Sequence, residues 1–219
     1  MSDPFENIDN EIYLEKFKNF FNKYKKIIIT LIIIIFLSTI AITTYKSYKK
    51  KQTEKISEYY TKILSIVDTD PEKAQVELQK LSKFKNNSYK NLSNLLVFKL
   101  QFQNGKFEES LKSLKIIEDN INKNNTLNKL IKYYYSQVFM VQNNKESFNS
   151  YTKELLSYGG MWSLLAYELR GHLFYSNKEY QNALKNFNKI INNQQATVSI
   201  KNRAQEMIDN INLHYEKSS

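Results

Sequence analysis

The chain has 219 residues, a formal net charge of +10, four glycines, two prolines and no cysteine. Scarce glycine and proline favour helices over sheet-rich or loop-rich folds, and the lack of cysteine excludes disulfides and thiol chemistry. Arginine occurs only at 170 and 203, so we interpret the mostly lysine-borne charge as solvated helix faces, because a nucleic-acid surface favours a clustered, arginine-containing stripe.

Residues 1–26 form a neutral tail with apolar residues on one side of a predicted helix. The spacing of these residues fits a helical period: Phe5, Ile8, Ile12, Phe17, Phe20, Phe21 and Tyr24. Such a helix suits the inner membrane surface or a partner protein. A solvated approach to the next segment explains the pattern equally well, and the sequence leaves both interpretations open.

Residues 27–45 are nineteen consecutive uncharged positions between Lys26 and Lys46. At ~1.5 Å per residue a helix of this length spans roughly 28 Å, close to the hydrocarbon thickness of a bilayer. A buried core helix of this length rarely lacks every charge. A cleaved signal peptide ends in small residues at its cleavage site, and no such pair follows. The sequence therefore predicts a retained transmembrane helix over 27–45.

Local charge does not decide which side of the membrane carries the rest of the chain. Five lysines lie close before the apolar segment and five close after it, so the positive-inside rule returns a tie. A short uncleaved tail before a large domain favours a cytoplasmic N-terminus and an exported domain. The excess positive charge follows the anchor, where attraction to anionic lipid headgroups is plausible.

Residues 46–219 predict a solenoid of about four helical hairpins with a capping helix. The anchor helix is expected to continue to about Val67, after which Asp70 and Pro71 are typical of an N-cap and a first helical position. A small residue followed four later by a bulky one then recurs at spacings of 36, 37 and 36: Ala74/Leu78, Ser110/Leu114, Ser147/Tyr151 and Ala183/Phe187. Such a period indicates stacked helix–turn–helix units. A last helix, about Val198 to Tyr215, would cap the stack.

The fourth unit has the sharpest pattern, with five key residues in one 17-residue window: Gly171, Phe174, Tyr180, Ala183 and Phe187. It resembles the tetratricopeptide repeat, whose consensus places glycine, aromatic and alanine residues at these offsets. Phe98 in unit two and Tyr135 in unit three stand where the glycine is expected. Looser helix crossings are therefore expected in those units.

Three further segments carry a wider resemblance: IDNEIYLEKFKNFFNKYKK before the anchor, YKSYKKKQTEKISEYY after it, and WSLLAYELRGHLFYSNKEYQNALKNFNKII followed by KNRAQEMIDNI. The chain resembles the YfgM-type ancillary subunits of the SecYEG translocon in the bacterial inner membrane. That resemblance implies a cytoplasmic tail and a periplasmic helical domain. It also implies SecYEG, periplasmic chaperones or exported chains as partners.

Little in the sequence supports catalysis. The two histidines, His172 and His214, lie on different predicted helices, and no metal-binding or phosphate-binding motif is present. We expect no enzymatic activity, no cofactor and no metal site. His172 could contact a ligand, but a structural or solvated histidine explains it more simply.

Protein binding is the function that the predicted fold favours. A mixed aromatic and polar groove suits extended or helical peptides. The repeat register predicts a concave protein-binding face on the first helices of units three and four: Lys129, Lys132, Ser136, Phe139, Met140, Leu165, Glu168, His172 and Tyr175. The alternative is a structural scaffold or tether in envelope assembly or cell division that works through its anchor and tail.

Overall fold

The computed structural model describes residues 4–84, 87–121 and 126–218. For residues 4–13, 87 and 215–218 it describes the backbone only. Every regular element within these ranges is an α-helix, as the composition predicts. The nine described helices are α1 Pro4–Leu64, α2 Pro71–Leu81, α3 Asn87–Gln103, α4 Phe107–Glu118, α5 Thr126–Val141, α6 Lys145–Ser157, α7 Gly160–Ser176, α8 Tyr180–Ile191 and α9 Val198–Ser218.

The chain divides into two compact units, Met1–Ser57 and Glu58–Ser219. In the first unit, α1 carries an apolar stretch long enough to cross a membrane, and none of that stretch is buried in protein. Its hydroxyl groups bond back to the helix: Thr30 Oγ1 donates to the Lys26 carbonyl at 2.8 Å and Thr43 Oγ1 to the Thr39 carbonyl at 2.7 Å. Such bonds satisfy polar groups where water is absent. By length and composition α1 is a candidate membrane anchor.

The second compact unit, Glu58–Ser219, is a tetratricopeptide-repeat-like solenoid. It consists of four helical hairpins, which we call units one to four in chain order, and a final helix. The end of α1 contacts α2, where the Tyr59 hydroxyl donates to Glu77. Helix α3 pairs with α4, α5 with α6, and α7 with α8. Each second helix buries residues at the same three positions: Ala74, Leu78 and Leu81; Ser110, Leu114 and Ile117; Phe148, Thr152 and Leu155; Ala183, Phe187 and Ile190. Helix α4 also buries Ser113. Burial of these residues between neighbours is the main source of stability in such a stack.

The predicted start of α2 and the predicted capping helix are confirmed, whereas α1 ends at Leu64 and not at about Val67. Asp70 caps α2, because its side chain accepts a hydrogen bond from the Lys73 amide at 3.0 Å, and Pro71 opens the helix. At the other end α9 buries Ile200, Ala204 and Ile211 against the last hairpin. The terminal apolar surface of the stack is covered in this way.

The first helices of units two to four end in the same left-handed turn. Gly105, Asn143 and Lys178 have φ values of +71°, 55° and 62°. The amide of the next residue donates to the carbonyl five positions earlier, with Lys106 to Gln101 at 2.8 Å, Asn144 to Phe139 at 2.9 Å and Glu179 to Phe174 at 2.8 Å. This 6→1 bond is that of the Schellman motif, which satisfies carbonyls that the helix end would leave unpaired.

These turns correct the predicted register of unit three by one residue. The left-handed residues are 38 and then 35 positions apart, not 36 or 37, and the buried second-helix residues Ser110, Phe148 and Ala183 keep the same spacings. Phe148 and Thr152 therefore occupy the places predicted for Ser147 and Tyr151. The prediction was wrong because it assumed a nearly uniform period, whereas the turn fixes where each second helix begins.

The same correction changes the residue at the helix crossing of unit three. Gly171 marks the point where the two helices of unit four cross most closely. A Cβ at this position would lie 2.6 Å from the Phe187 ring, so any larger residue would clash with that ring. Measured from the turns, Ser136 and not Tyr135 corresponds to Gly171, and Ser136 is fully buried. Unit three therefore has a small residue at its crossing, contrary to the predicted bulky one, and Phe98 is the large residue at that place in unit two.

A pair of matched substitutions tests the corrected register. Ser110 is fully buried, whereas Ser147 is partly exposed. Ser110→Leu should overpack the α3–α4 contact and reduce the free energy of unfolding by ~1–3 kcal/mol. Ser147→Leu should change it by less than about 0.5 kcal/mol, as is usual for surface sites. Denaturant unfolding of the two variants measures both values, and equal large losses would restore the uniform period.

Candidate functional site

With the corrected register, residues of α3, α5 and α7 can be aligned by their distance from the turn that follows each helix. Leu165, Glu168, His172 and Tyr175 of α7 were predicted to face a ligand. Counted from the turns, their equivalents are Leu130, Tyr133, Gln137 and Met140 in α5, and Leu92, Leu95, Lys99 and Phe102 in α3. We call these twelve residues the odd-helix face.

The α3 part of the odd-helix face borders an open apolar groove of about 410 Å³. Leu92 is 43% exposed in this groove, whereas Phe98 is buried at its floor and packs on the Tyr134 ring at 4.8 Å between centroids. The groove is lined by Tyr60, Leu92, Leu95, Leu96, Phe98, Lys99, Phe102, Gln103, Tyr134 and Gln137. Its floor is therefore continuous with the hydrophobic core of units two and three.

In α5 the face becomes more polar. Gln137 Nε2 donates to the Tyr133 hydroxyl at 3.2 Å. Burial, and then the nearby Glu168 carboxylate, raise the pKa of Tyr133, so its hydroxyl stays protonated at neutral pH. Gln137 also lines the groove beside α3. It thus links the apolar part of the face to the polar part.

The α7 part of the face holds a paired charge. Glu168 is only 7% exposed and accepts two hydrogen bonds from Arg203 of α9, from Nε at 2.6 Å and from Nη2 at 3.1 Å. The hydrogen bonds to Glu168 raise the pKa of the Arg203 guanidinium. A bidentate pair of this kind fixes α9 against α7. It also means that Glu168 offers no free carboxylate to a ligand.

His172 lies beside this ion pair and is half-buried. Its ring meets the Phe187 ring edge-on at 5.5 Å between centroids. Burial lowers the pKa of His172 below its usual value, and Arg203 acts in the same direction against the opposing effect of Glu168. The imidazole is therefore neutral at pH 7, and its contacts are those of a packed ring.

Of the nine residues predicted to bind protein, five lie at positions of the odd-helix face: Met140, Leu165, Glu168, His172 and Tyr175. The other four lie elsewhere on α5. Ser136 is fully buried and donates to the Lys132 carbonyl at 2.9 Å. Phe139 stacks on Tyr151 at 5.5 Å between ring centroids, within the core.

Lys129 and Lys132 belong to a polar cluster between α4, α5 and α6. Lys132 Nζ donates to Glu118 Oε1 at 2.9 Å and lies 3.8 Å from Glu154 Oε2, and Lys129 lies over the Tyr158 ring at 5.0 Å. Burial opposes the charged form of Lys132, but its carboxylate partners outweigh that effect and raise its pKa. Opposite charges are matched within this cluster, which suits a role in holding the three helices together.

The groove residues of unit two were not among the predicted residues. The signals that point to them are Gly105 and Asn143, because glycine and asparagine favour positive φ and mark where the first helices end. Counting back from those residues leads to Leu92, Lys99 and Gln137. A uniform 36-residue period leads to Lys132 and Ser136 instead.

The family model described as a tetratricopeptide repeat-like domain matches residues 18–212 of the chain. The match covers all four hairpins and also the apolar segment of α1. No curated protein and no solved structure matches the chain.

The lowered pKa of His172 makes a pH-dependent contribution to stability. An unfolded histidine titrates near pH 6.5. Because the folded pKa is lower, the unfolded state binds the proton more readily, so this contribution is present above about pH 6.5 and is lost as pH falls through the folded pKa. Thermal unfolding at pH 8 and pH 5.5 should show a smaller loss of melting temperature for His172→Gln than for the wild type.

The exposed His214 provides the control for that experiment. His214→Gln, measured in parallel, removes the other histidine of the chain, so that an effect specific to residue 172 is separated from a general effect of histidine removal. An identical pH dependence in wild type and His172→Gln would show that burial does not perturb His172.

Proposed function

We propose, since the chain belongs to the tetratricopeptide repeat-like domain family, that it is a membrane-anchored module that binds other proteins through its odd-helix face. The family is typically a non-enzymatic interaction fold. The observation that carries the proposal is the open apolar groove beside α3, with Leu92 43% exposed at its edge. Hydrophobic grooves are a recurring site of peptide recognition in folded domains.

The cellular setting of the proposal follows from the resemblance to YfgM-type subunits. We propose a single-pass protein of the bacterial inner membrane with residues 1–26 in the cytoplasm, 27–45 in the bilayer and 46–219 in the periplasm. Its partners would be the SecYEG translocon, periplasmic chaperones or exported chains. The sequence segments on both sides of the anchor carry this resemblance, and the family match that begins at residue 18 includes the apolar segment.

A scaffold or tether in envelope assembly or cell division is the competing function. The observation in its favour is the long apolar stretch of α1, none of which is buried within the described part of the chain. A scaffold of that kind would work through the anchor and tail. Changes in the groove would then leave its partners unaffected.

The anchor should be retained in the mature protein. The motivating observations are the uncharged run of residues 27–45 and the finding that none of the apolar stretch is buried in protein. After alkaline carbonate washing, the protein should stay in the membrane pellet and keep its full N-terminus. Release into the soluble fraction, or a mature start near residue 45, would contradict the anchor.

The domain after the anchor should be accessible from outside the cytoplasmic membrane. Protease added to intact spheroplasts should digest residues 46–219 and spare a fragment that contains the tail and anchor. Protection of the domain until the spheroplasts are lysed would reverse the proposed orientation.

A charge placed in the groove should remove partners without unfolding the domain. Leu92 on α3 and Ile116 on α4 are each 43% exposed, so Leu92→Glu and Ile116→Glu disturb folding to a similar small degree. Truncated hot spots typically cost ~2 kcal/mol or more, which weakens binding roughly thirtyfold. Proteins that co-purify with the detergent-solubilised wild type should be lost with Leu92→Glu and kept with Ile116→Glu.

The two proposed functions predict different outcomes of this comparison. If both variants keep the full set of co-purifying proteins while their circular dichroism stays helical, the groove is not the binding surface and the scaffold is favoured. If Ile116→Glu alone loses them, the partner lies on the second helices.

A further inference from the structure

The groove beside α3 offers few hydrogen-bonding groups to a ligand. Apart from the hydroxyls of Tyr60 and Tyr134, the polar side chains among its lining residues are Lys99, Gln103 and Gln137. An extended peptide carries an unpaired amide and carbonyl at every residue, and these need partners when they leave water. A helix pairs these groups internally, except at its two ends. An apolar groove with this lining therefore favours a helical ligand over an extended one.

The length of the groove sets the length of that ligand. The lining residues of α3 run from Leu92 to Gln103. At ~1.5 Å per residue this corresponds to roughly 16 Å, or about three helical turns. Aligned helices pack at about 8–10 Å between axes. A ligand helix of about three turns, laid along α3, would cover the exposed side of Leu92.

The positive charge of Lys99 predicts the sign of the charge that the ligand carries. Lys99 is the single charged residue among those that line the groove, its side chain is exposed, and it forms no ion pair with any residue that the structure describes. An acidic side chain on the ligand, placed opposite Lys99, complements this charge. A basic residue at that place would be repelled.

We propose that the groove beside α3 binds an amphipathic α-helix of about three turns from another protein, with one acidic residue directed at Lys99. The apolar side of the ligand lies on Leu92, Leu96 and Tyr134. Gln103 and Gln137 remain at the rim, where they are placed to pair with polar groups at its edges. This inference rests on the proposed protein-binding function and specifies its ligand.

A selection experiment tests the class of ligand directly and does not require the cellular partner. The full-length protein is placed in lipid nanodiscs, and a display library of random 16-residue peptides is selected against it. Peptides that bind the wild type and the Ile116→Glu variant, but bind Leu92→Glu at least tenfold more weakly, are counted as groove ligands. Their sequences should show apolar residues at a helical period and at least one aspartate or glutamate.

A charge exchange then tests the role of Lys99. For a selected peptide, Lys99→Glu should reduce affinity by about fivefold, the effect of an ion pair worth ~1 kcal/mol. Replacing the acidic residue of the peptide by lysine should restore binding to Lys99→Glu and weaken binding to the wild type. The Lys112→Glu variant, on the exposed side of α4, is the control and should bind both peptides as the wild type does.

The outcomes separate this inference from the function on which it rests. Groove ligands with alternating or proline-rich sequences would overturn the helical ligand and leave the binding function standing. Helical groove ligands indifferent to the charge at residue 99 would overturn the acidic contact. A selection that yields no peptide sensitive to Leu92→Glu would contradict the groove as a binding site and, with it, the proposed function.

Discussion

The left-handed residue that ends the first helix of units two, three and four is the constraint on which the rest of the solenoid depends. At Gly105, Asn143 and Lys178 the chain reverses with the same 6→1 hydrogen bond. The second helix then buries its first core residue five positions later in every case, at 110, 148 and 183. A single backbone torsion per unit therefore determines which side chains enter the core and which remain at the surface.

The residues at the helix crossings follow from that register and differ between units. Counted from the turns, the paired positions are Phe98 with Leu114, Ser136 with Thr152, and Gly171 with Phe187, and all six residues are buried. Where the first helix contributes a small side chain, the second helix can approach closely. In unit two the first helix contributes Phe98, whose ring forms the floor of the groove beside α3. Phenylalanine in place of glycine at this position of unit two thus supplies the apolar floor of the candidate binding site.

The odd-helix face changes character along the stack. At α3 it is apolar and carries the exposed charge of Lys99, which forms no ion pair within the described part of the chain. At α7 its carboxylate is already bound by Arg203, and desolvation keeps His172 neutral. A ligand would find exposed apolar area and free charge at the α3 end, and satisfied polar groups at the α7 end. If the odd-helix face binds a ligand as proposed, most of the binding energy is expected at the α3 end, even though unit four has the clearest repeat sequence.

Features that depend on local composition were predictable from the sequence. The anchor segment is a run of uncharged residues, the start of α2 is set by Asp70 and Pro71, and the cap helix shows its apolar face in one helical period. The register of unit three was missed because a uniform period was assumed across unequal units, although Asn143 marks the turn of that unit. Lys178 gives no such sign in unit four. The Glu168–Arg203 pair joins residues 35 positions apart. It depends on how α9 packs against α7, which no local pattern encodes.

Site-specific photo-crosslinking in native membranes tests most directly whether this protein binds its partners in the groove beside α3. A benzophenone side chain is placed at residue 92 on α3 or at residue 116 on α4, two positions of equal exposure. If the groove is the binding surface, the probe at 92 forms crosslinks to defined proteins, and the probe at 116 does not. Equal crosslinking from both positions, or crosslinks from 116 alone, would contradict the proposed binding surface.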